Sequence, residues 1–150
     1  MLKGTRLGGA FAIVVAALPA GCAGSDALSK EQYASRLSAM CEDFSAREQE
    51  IGEPQTIADL VEKGPRILDA FDEAIADEIR TLEAPAEIAE QADRLADLAD
   101  RQRGVLGELV EAANADDLAK VQELVARNEA LNENAGSIAR ELGATACAER

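Results

Sequence analysis

The sequence predicts an all-α protein folded as an antiparallel four-helix bundle. From Ser29 onward, no run alternates apolar and polar residues with the β-branched and aromatic enrichment of a strand. Ala, Leu, Glu and Arg dominate this region, and all four are strong helix formers. Apolar residues recur at helical spacing, so each helix has an apolar stripe that neighbouring helices must cover. Short connections favour antiparallel neighbours, and the recurring Pro and Gly breaks make one long coiled coil the weaker alternative.

The first predicted helix begins at Ser29. Its hydroxyl can cap the backbone, and Gln32 stands three positions later, as in a capping box. Gly52 and Pro54 end this helix, since neither residue continues helical backbone easily. The pattern therefore predicts one helix over most of residues 29–51.

The second predicted helix runs from near Thr56 to Leu82, and Gly64-Pro65 lies inside it. Proline lacks a backbone donor, and its ring clashes with the preceding turn. We therefore expect this helix to be kinked or broken at Gly64-Pro65. A true break would leave Thr56–Lys63 as a short separate helix.

The third and fourth predicted helices are marked by their end residues. The third has Pro85 in its first turn, where a missing N–H is harmless. The fourth begins around Asn114, a good cap, with Asp116 and Asp117 near the positive helix end. Gly143 suits the left-handed position that ends a helix.

Residues 1–21 have the layout of an export signal. Lys3 and Arg6 form a basic start, Leu7–Leu18 is uncharged and apolar, and small residues follow. The apolar run is shorter than the about 20 residues that span a bilayer. A buried first helix of the domain is the alternative interpretation.

The end of this signal, Leu18-Pro19-Ala20-Gly21-Cys22, resembles a bacterial lipobox, although Pro19 stands where that pattern has an aliphatic residue. The resemblance implies cleavage before Cys22 and a lipid on its sulfur. Residues 22–28 would then be a short tether and residues 29–150 the bundle domain. Two or more acyl chains give stable attachment to a membrane, here the outer face of the cytoplasmic membrane. Ordinary cleavage after Ala23 is the alternative, and it would make the protein secreted.

Export bears on the other two cysteines, Cys41 and Cys147, because disulfides persist outside the cytoplasm. A bond between them would close a loop of roughly 100 residues, worth about 4.7 kcal/mol in the chain-entropy model. Cys41 lies roughly 18 Å inside the first helix. The bond therefore requires that helix to overhang the bundle, or the C-terminal tail to climb along it. Two separate buried thiols are the alternative.

Composition excludes several functions. The 150 residues include no His, which rules out His-ligated metals, His bases and Ser-His or Cys-His pairs. The net charge of −14 argues against nucleic-acid binding. We predict no catalytic residue, no metal ligand and no cofactor, so the protein is not expected to be an enzyme. Removing the signal takes away Lys3 and Arg6 but no acid, so the exported chain is more acidic still.

Three polar residues interrupt the apolar stripes: Gln102 on the third helix and Asn128 and Asn132 on the fourth. They could form a polar pocket for a small ligand, or pair with each other or with water to fix helix register. The sequence thus predicts a non-enzymatic envelope protein that is held at the membrane by its lipid and binds a protein partner or has a structural role. The alternative is a small-ligand or divalent-cation-binding module that uses this pocket or the acidic faces.

Several landmarks together resemble a known family. Tyr33 stands eight residues before Cys41, Leu82-Glu83-Ala84-Pro85 opens a later helix, and Leu142-Gly143-Ala144-Thr145-Ala146-Cys147 lies near the end. In these features the chain is similar to the small secreted or lipoprotein helical-bundle proteins of actinobacteria. The resemblance implies a bundle tied by an N-to-C-terminal disulfide. It implies no known activity and carries no catalytic residue onto this chain.

Overall fold

The computed structural model describes residues 28–148, and this part of the chain consists of helices joined by short connections, with no strand. The predicted all-α class is thereby confirmed. Residues 1–27, which hold the predicted signal, Cys22 and nearly all of the tether, lie outside the described residues. The helices are α1 (Lys30–Ile51), α2 (Ile57–Phe71), a π turn (Asp72–Ala76), α3 (Asp77–Ile79), a 3-10 turn (Ala86–Ile88), α4 (Ala89–Asn114), α5 (Leu118–Leu142) and α6 (Thr145–Ala148).

α1 begins as its sequence predicts. The Ser29 hydroxyl accepts a hydrogen bond from the Gln32 N–H at 3.2 Å, and the Gln32 side chain accepts one from the Ser29 N–H at 2.9 Å. This capping box satisfies two backbone donors that would otherwise lack partners. At the other end, the Gly52 N–H donates to the Glu48 carbonyl. Both predicted ends of α1 are therefore confirmed.

α2 continues through Pro65 to Phe71, with Thr56 as its cap. Thr56 and Asp59 form a second capping box. Hydrogen bonds from the Gln55 backbone, and then from Thr56, lower the pKa of Asp59. The helical backbone is uninterrupted at Gly64-Pro65, so no separate helix ends at residue 63. The kink at this site stays a prediction.

The irregularity of this region lies later, in the π turn Asp72–Ala76. A π turn adds one residue to a helical turn and is common near functional sites. α3 ends soon afterwards at Ile79, short of the predicted Leu82. The predicted helix from Thr56 to Leu82 is therefore corrected at its C-terminal end: α2, the π turn and α3 follow one another without a break and end at Ile79.

The junction of α4 and α5 differs from the prediction by three residues. Asn114 is the last residue of α4, and its side-chain amide donates to the Val110 carbonyl at 2.8 Å. Asp117 is the cap of α5, because its carboxylate accepts from the Lys120 N–H. The prediction that Asn114 caps the fourth helix is thus wrong. Asp117, three residues later, caps it instead. Gly143 has the predicted left-handed conformation, with φ 86°.

The core lies between the helices, and α4 and α5 form the most extensive helix pair among the described elements. The largest fully buried side chains of the core are Tyr33, Leu37, Val105 and Leu124. Three apolar residues that the helical spacing assigned to the covered stripes are instead exposed: Val61 (36%), Leu118 (54%) and Val125 (41%). No helix within residues 28–148 has the length and apolar character needed to cross a membrane.

The C-terminal segment folds back and closes the predicted disulfide. After Gly143, α6 packs against α1 and α5, and the Cys41 and Cys147 Cα atoms lie 5.3 Å apart in the bonded pair. The C-terminal tail therefore runs back along α1. This path lets Cys147 reach Cys41, which lies well inside α1 and away from its first residue. Gly136 of α5 faces this segment, where a Cβ would make an ordinary van der Waals contact, 3.7 Å from the Ala148 carbonyl oxygen.

Candidate functional site: a cavity between the helices

A cavity of about 120 Å³ lies between the helices. All six α-helices contribute to its wall, together with the π turn. Most of the wall is apolar or sulfur-containing: Leu37, Met40, Cys41, Phe44, Ile67, Phe71, Ile75, Ile79, Leu95, Ala99, Leu106, Ala135 and Cys147. The polar residues in the wall are Glu48, Gln102, Asn128 and Asn132.

The three amides that the sequence singled out therefore share one wall. Asn128 and Asn132 stand four residues apart on α5, so they lie on the same face one turn from each other. Gln102 reaches the same wall from α4, between Ala99 and Leu106. Helical spacing alone places each amide on an apolar face. The packing of α4 against α5 brings the two faces together.

The amides differ in their hydrogen bonding. The Gln102 Nε2 donates to the Asn132 Oδ1, which joins α4 to α5 inside the wall. The Asn128 Oδ1 is buried and accepts no hydrogen bond from any residue between 28 and 148. A buried acceptor without a partner is unfavourable, and this oxygen has almost no surface that a group in the cavity could touch.

Several parts of the wall were not predicted from the sequence. Glu48 follows Phe44 by four residues on α1, so extending the apolar face by one turn would have found it. The disulfide was predicted, but its place in the wall was not, because that depends on the path of the tail after Gly143. Phe44 also meets Phe71 edge to face, with ring centroids 5.4 Å apart.

The π turn supplies Ile75 to the wall, and two ion pairs hold the turn to its neighbours. The Arg103 Nη2 donates to the Asp72 Oδ2 at 2.8 Å, which ties the turn to α4. The Arg47 Nη1 donates to Glu73 at 2.6 Å, which ties it to α1. These carboxylates raise the pKa of both guanidinium groups. The two ion pairs thus link the π turn to α1 and α4, and each contributes little to stability because its partners are partly or largely exposed.

Three of the four polar residues in the wall are amides, and the fourth is the carboxylate of Glu48. Amide side chains neither take up nor release protons near neutral pH, and they serve as paired donors and acceptors. Within the described part of the chain, no group of three or more acidic or Cys side chains is arranged to hold a metal ion. Divalent-cation binding by the acidic faces stays a prediction.

Known proteins do not assign this cavity a role. Comparison finds no matching family model, no matching curated protein and no matching solved structure. The resemblance to actinobacterial secreted bundle proteins stays a prediction from the residues that carry it. The geometry of the cavity is therefore the basis for a functional proposal.

Proposed function

We propose that this chain is an exported, lipid-anchored envelope protein that binds a small molecule in the cavity and catalyses no reaction. The proposal rests on the cavity itself, whose wall is mostly apolar and includes three amide side chains. Small-molecule sites are typically concave and mostly apolar, with a few polar groups that fix orientation.

The lining of the cavity supports a bound occupant. Burying apolar ligand surface against apolar side chains is favourable by about 25 cal/mol per Å², and most of this wall is apolar. A ligand that binds only the folded state also stabilises it.

Export is supported independently by the disulfide. The Cys41–Cys147 bond joins residues 106 apart, and such bonds persist mainly outside the cytoplasm. The layout of residues 1–21 and the lipobox-like sequence before Cys22 point to the same compartment. With the short tether of residues 22–28, the domain would work close to the outer face of the cytoplasmic membrane.

We also propose that the long helices form an antiparallel four-helix bundle, with residues 57–79 acting as one helix bent at Gly64-Pro65. The connection of three residues between α4 and α5 and their extensive pairing support the antiparallel order. Pro65 supports the bend because it lacks an N–H for the ladder. An experimental structure that gives the helix axes tests both statements.

Ligand binding is tested with the disulfide-intact full chain and a panel of benzene-sized aromatic and aliphatic molecules. We expect at least one to raise the melting temperature saturably, since a ligand that binds only the folded state stabilises it. Ala135→Leu should fill the cavity and abolish that rise. Ala126→Leu, on an exposed position of the same helix, is the matched control. Failure of the whole panel, or full binding by Ala135→Leu, contradicts the proposal.

The anchor is tested by mass spectrometry of the mature N-terminus. We expect an N-terminal Cys22 whose mass includes a diacylglyceryl group and a further acyl chain. A free amine on Gly24 without lipid would contradict the anchor, although it would leave export intact.

A further inference from the structure

We infer that the ligand is a lipid with a single alkyl chain and a head group without negative charge, and that its chain lies partly in the cavity and partly in a groove beside it. This inference rests on the proposed binding function and names the chemical class of the ligand. The groove lies between α2, α4 and α5 and ends at the connection between α1 and α2. Ile67, Leu106 and Asn128 line both the groove and the cavity, so the two spaces adjoin at these residues.

The sizes of the two spaces indicate a ligand that is longer than the cavity. The cavity holds about 120 Å³, somewhat less than the roughly 150 Å³ of an engineered cavity that takes up benzene. It therefore has room for a body of about six carbon atoms or fewer. Ligand pockets typically hold about 300–1,000 Å³, and the groove, at about 580 Å³, adds space of that order. A ligand that uses both spaces is a chain that begins in the cavity and continues along the groove.

The lining of the groove favours a hydrocarbon chain over a peptide. Most of it is aliphatic: Pro54, Ile57, Leu60, Ile67, Leu106, Leu109, Val110, Val121 and Val125. Val125 is 41% exposed, and Ile67 and Leu106 are half-buried, so a chain laid along the groove removes apolar surface from water. A peptide would bring an N–H and a C=O at nearly every residue, and each needs a partner when it is buried. An alkyl chain carries no such groups and therefore suits this lining.

The polar residues of the lining bear on the head group. Those contributed by the α1–α2 connection are Glu53, Gln55 and Thr56, so the polar end of a ligand is best placed there. Among the described residues that line the two spaces, Glu48 and Glu53 are acidic and none is Lys or Arg. Lys63 lies near Glu53, but its Nζ donates to the Glu53 carbonyl at 3.3 Å. Together with the net charge of −14, these residues disfavour an anionic head group.

Primary alcohols of increasing length test the inference, with dissociation constants measured by calorimetry on the disulfide-intact full chain. Butanol is short enough for the cavity alone, whereas octanol and decanol must also use the groove. We expect the affinity to rise about fourfold for each added methylene through decanol, the gain for burying one CH₂ group. Val125→Gln should weaken the binding of decanol and leave that of butanol unchanged, because Val125 lines the groove and not the cavity. Val61→Gln is the matched control, since Val61 is similarly exposed, at 36%, and lines neither space.

The outcomes separate this inference from the proposed function. If butanol binds but the affinity stays level from hexanol to decanol, the chain does not enter the groove and the inference is overturned, while the cavity remains a binding site. If no alcohol binds, both the inference and its basis are contradicted. Equal weakening by Val125→Gln and Val61→Gln, or tighter binding of decanoate than of decanol, would also overturn the inference. In wild type, the Val125 methyl resonances should shift with decanol and not with butanol, and equal shifts would contradict the use of the groove.

Discussion

Gly64 shows how much a single residue controls the approach of two helices. It is buried where α2 meets α4, and a Cβ built on it would lie 2.8 Å from the Val110 Cγ2. Real Cβ atoms do not approach a neighbour so closely, and the β-branched Val110 has little rotamer freedom with which to move away. Gly64 is thus the residue that sets the α2–α4 separation near the groove.

Gly64→Ala should therefore lower the free energy of unfolding by about 1 kcal/mol. Overpacking costs about 1–3 kcal/mol, and the better helix propensity of Ala offsets up to about 1 kcal/mol of that. Gly104→Ala is the control, since nothing lies within 4 Å of a Cβ there. It should raise stability by about 0.5–1 kcal/mol. Urea denaturation measures both, and equal stabilisation by the two variants would contradict the close contact.

Local residue signals in the sequence predicted local structure well. Ser29 with Gln32, and Gly143, act through their own backbone neighbourhood, so their roles can be inferred without tertiary information. The amides were placed correctly on apolar faces for the same reason. Which amide pairs with which could not be predicted, because the bond between Gln102 and Asn132 depends on the relative height of α4 and α5.

At the scale of elements, the π turn is the feature that no sequence pattern indicated. Residues 72–76 have the composition of an ordinary helix, and the extra residue is accommodated through tertiary contacts. Asp72 and Glu73 face arginines on two other helices, 31 and 26 residues away in sequence. The cap of α5 was missed for a related reason. Asn114, Asp116 and Asp117 are all acceptable caps, and the length of α4 decides among them.

Asp72→Asn should loosen the π turn while keeping its shape. Asp72 is the less exposed partner of its ion pair with Arg103, at 21% of its side chain. We expect a loss of about 1 kcal/mol or less, which shrinks at high salt because exposed charge pairs are screened. Asp69→Asn, an exposed acid on α2, is the control. A salt-independent loss, or an equal loss in the control, would show that the ion pair does not hold the turn.

At the scale of the whole molecule, the disulfide joins the first helix to the last and borders the cavity. The even pair of cysteines and the export signal predicted the bond. The α6 turn that makes it geometrically feasible was not predicted, since residues 145–148 are too few to show helical periodicity. Because the two cysteines of the disulfide also line the cavity, breaking the bond should change both the stability of the fold and the affinity for a ligand.

Replacing both Cys41 and Cys147 by Ser should lower the free energy of unfolding by up to about 4.7 kcal/mol, the chain-entropy value for a loop of about 100 residues. Ligand affinity should fall as well, because Cys41 and Cys147 line the cavity. Denaturant midpoints of the oxidised, reduced and double-Ser proteins measure the first effect. A double-Ser protein as stable as the oxidised wild type would contradict this role of the bond.

The central claim is that a small molecule binds between the helices, and methyl NMR during a phenol titration tests it most directly. The methyl resonances of Leu37, Ile75 and Leu95, which line the cavity, should shift saturably and with one common dissociation constant. Those of Val61 and Leu118, which lie on the exposed surface, should stay in place. Shifts confined to Val61 and Leu118, or no saturable shift in the cavity methyls, would contradict the claim.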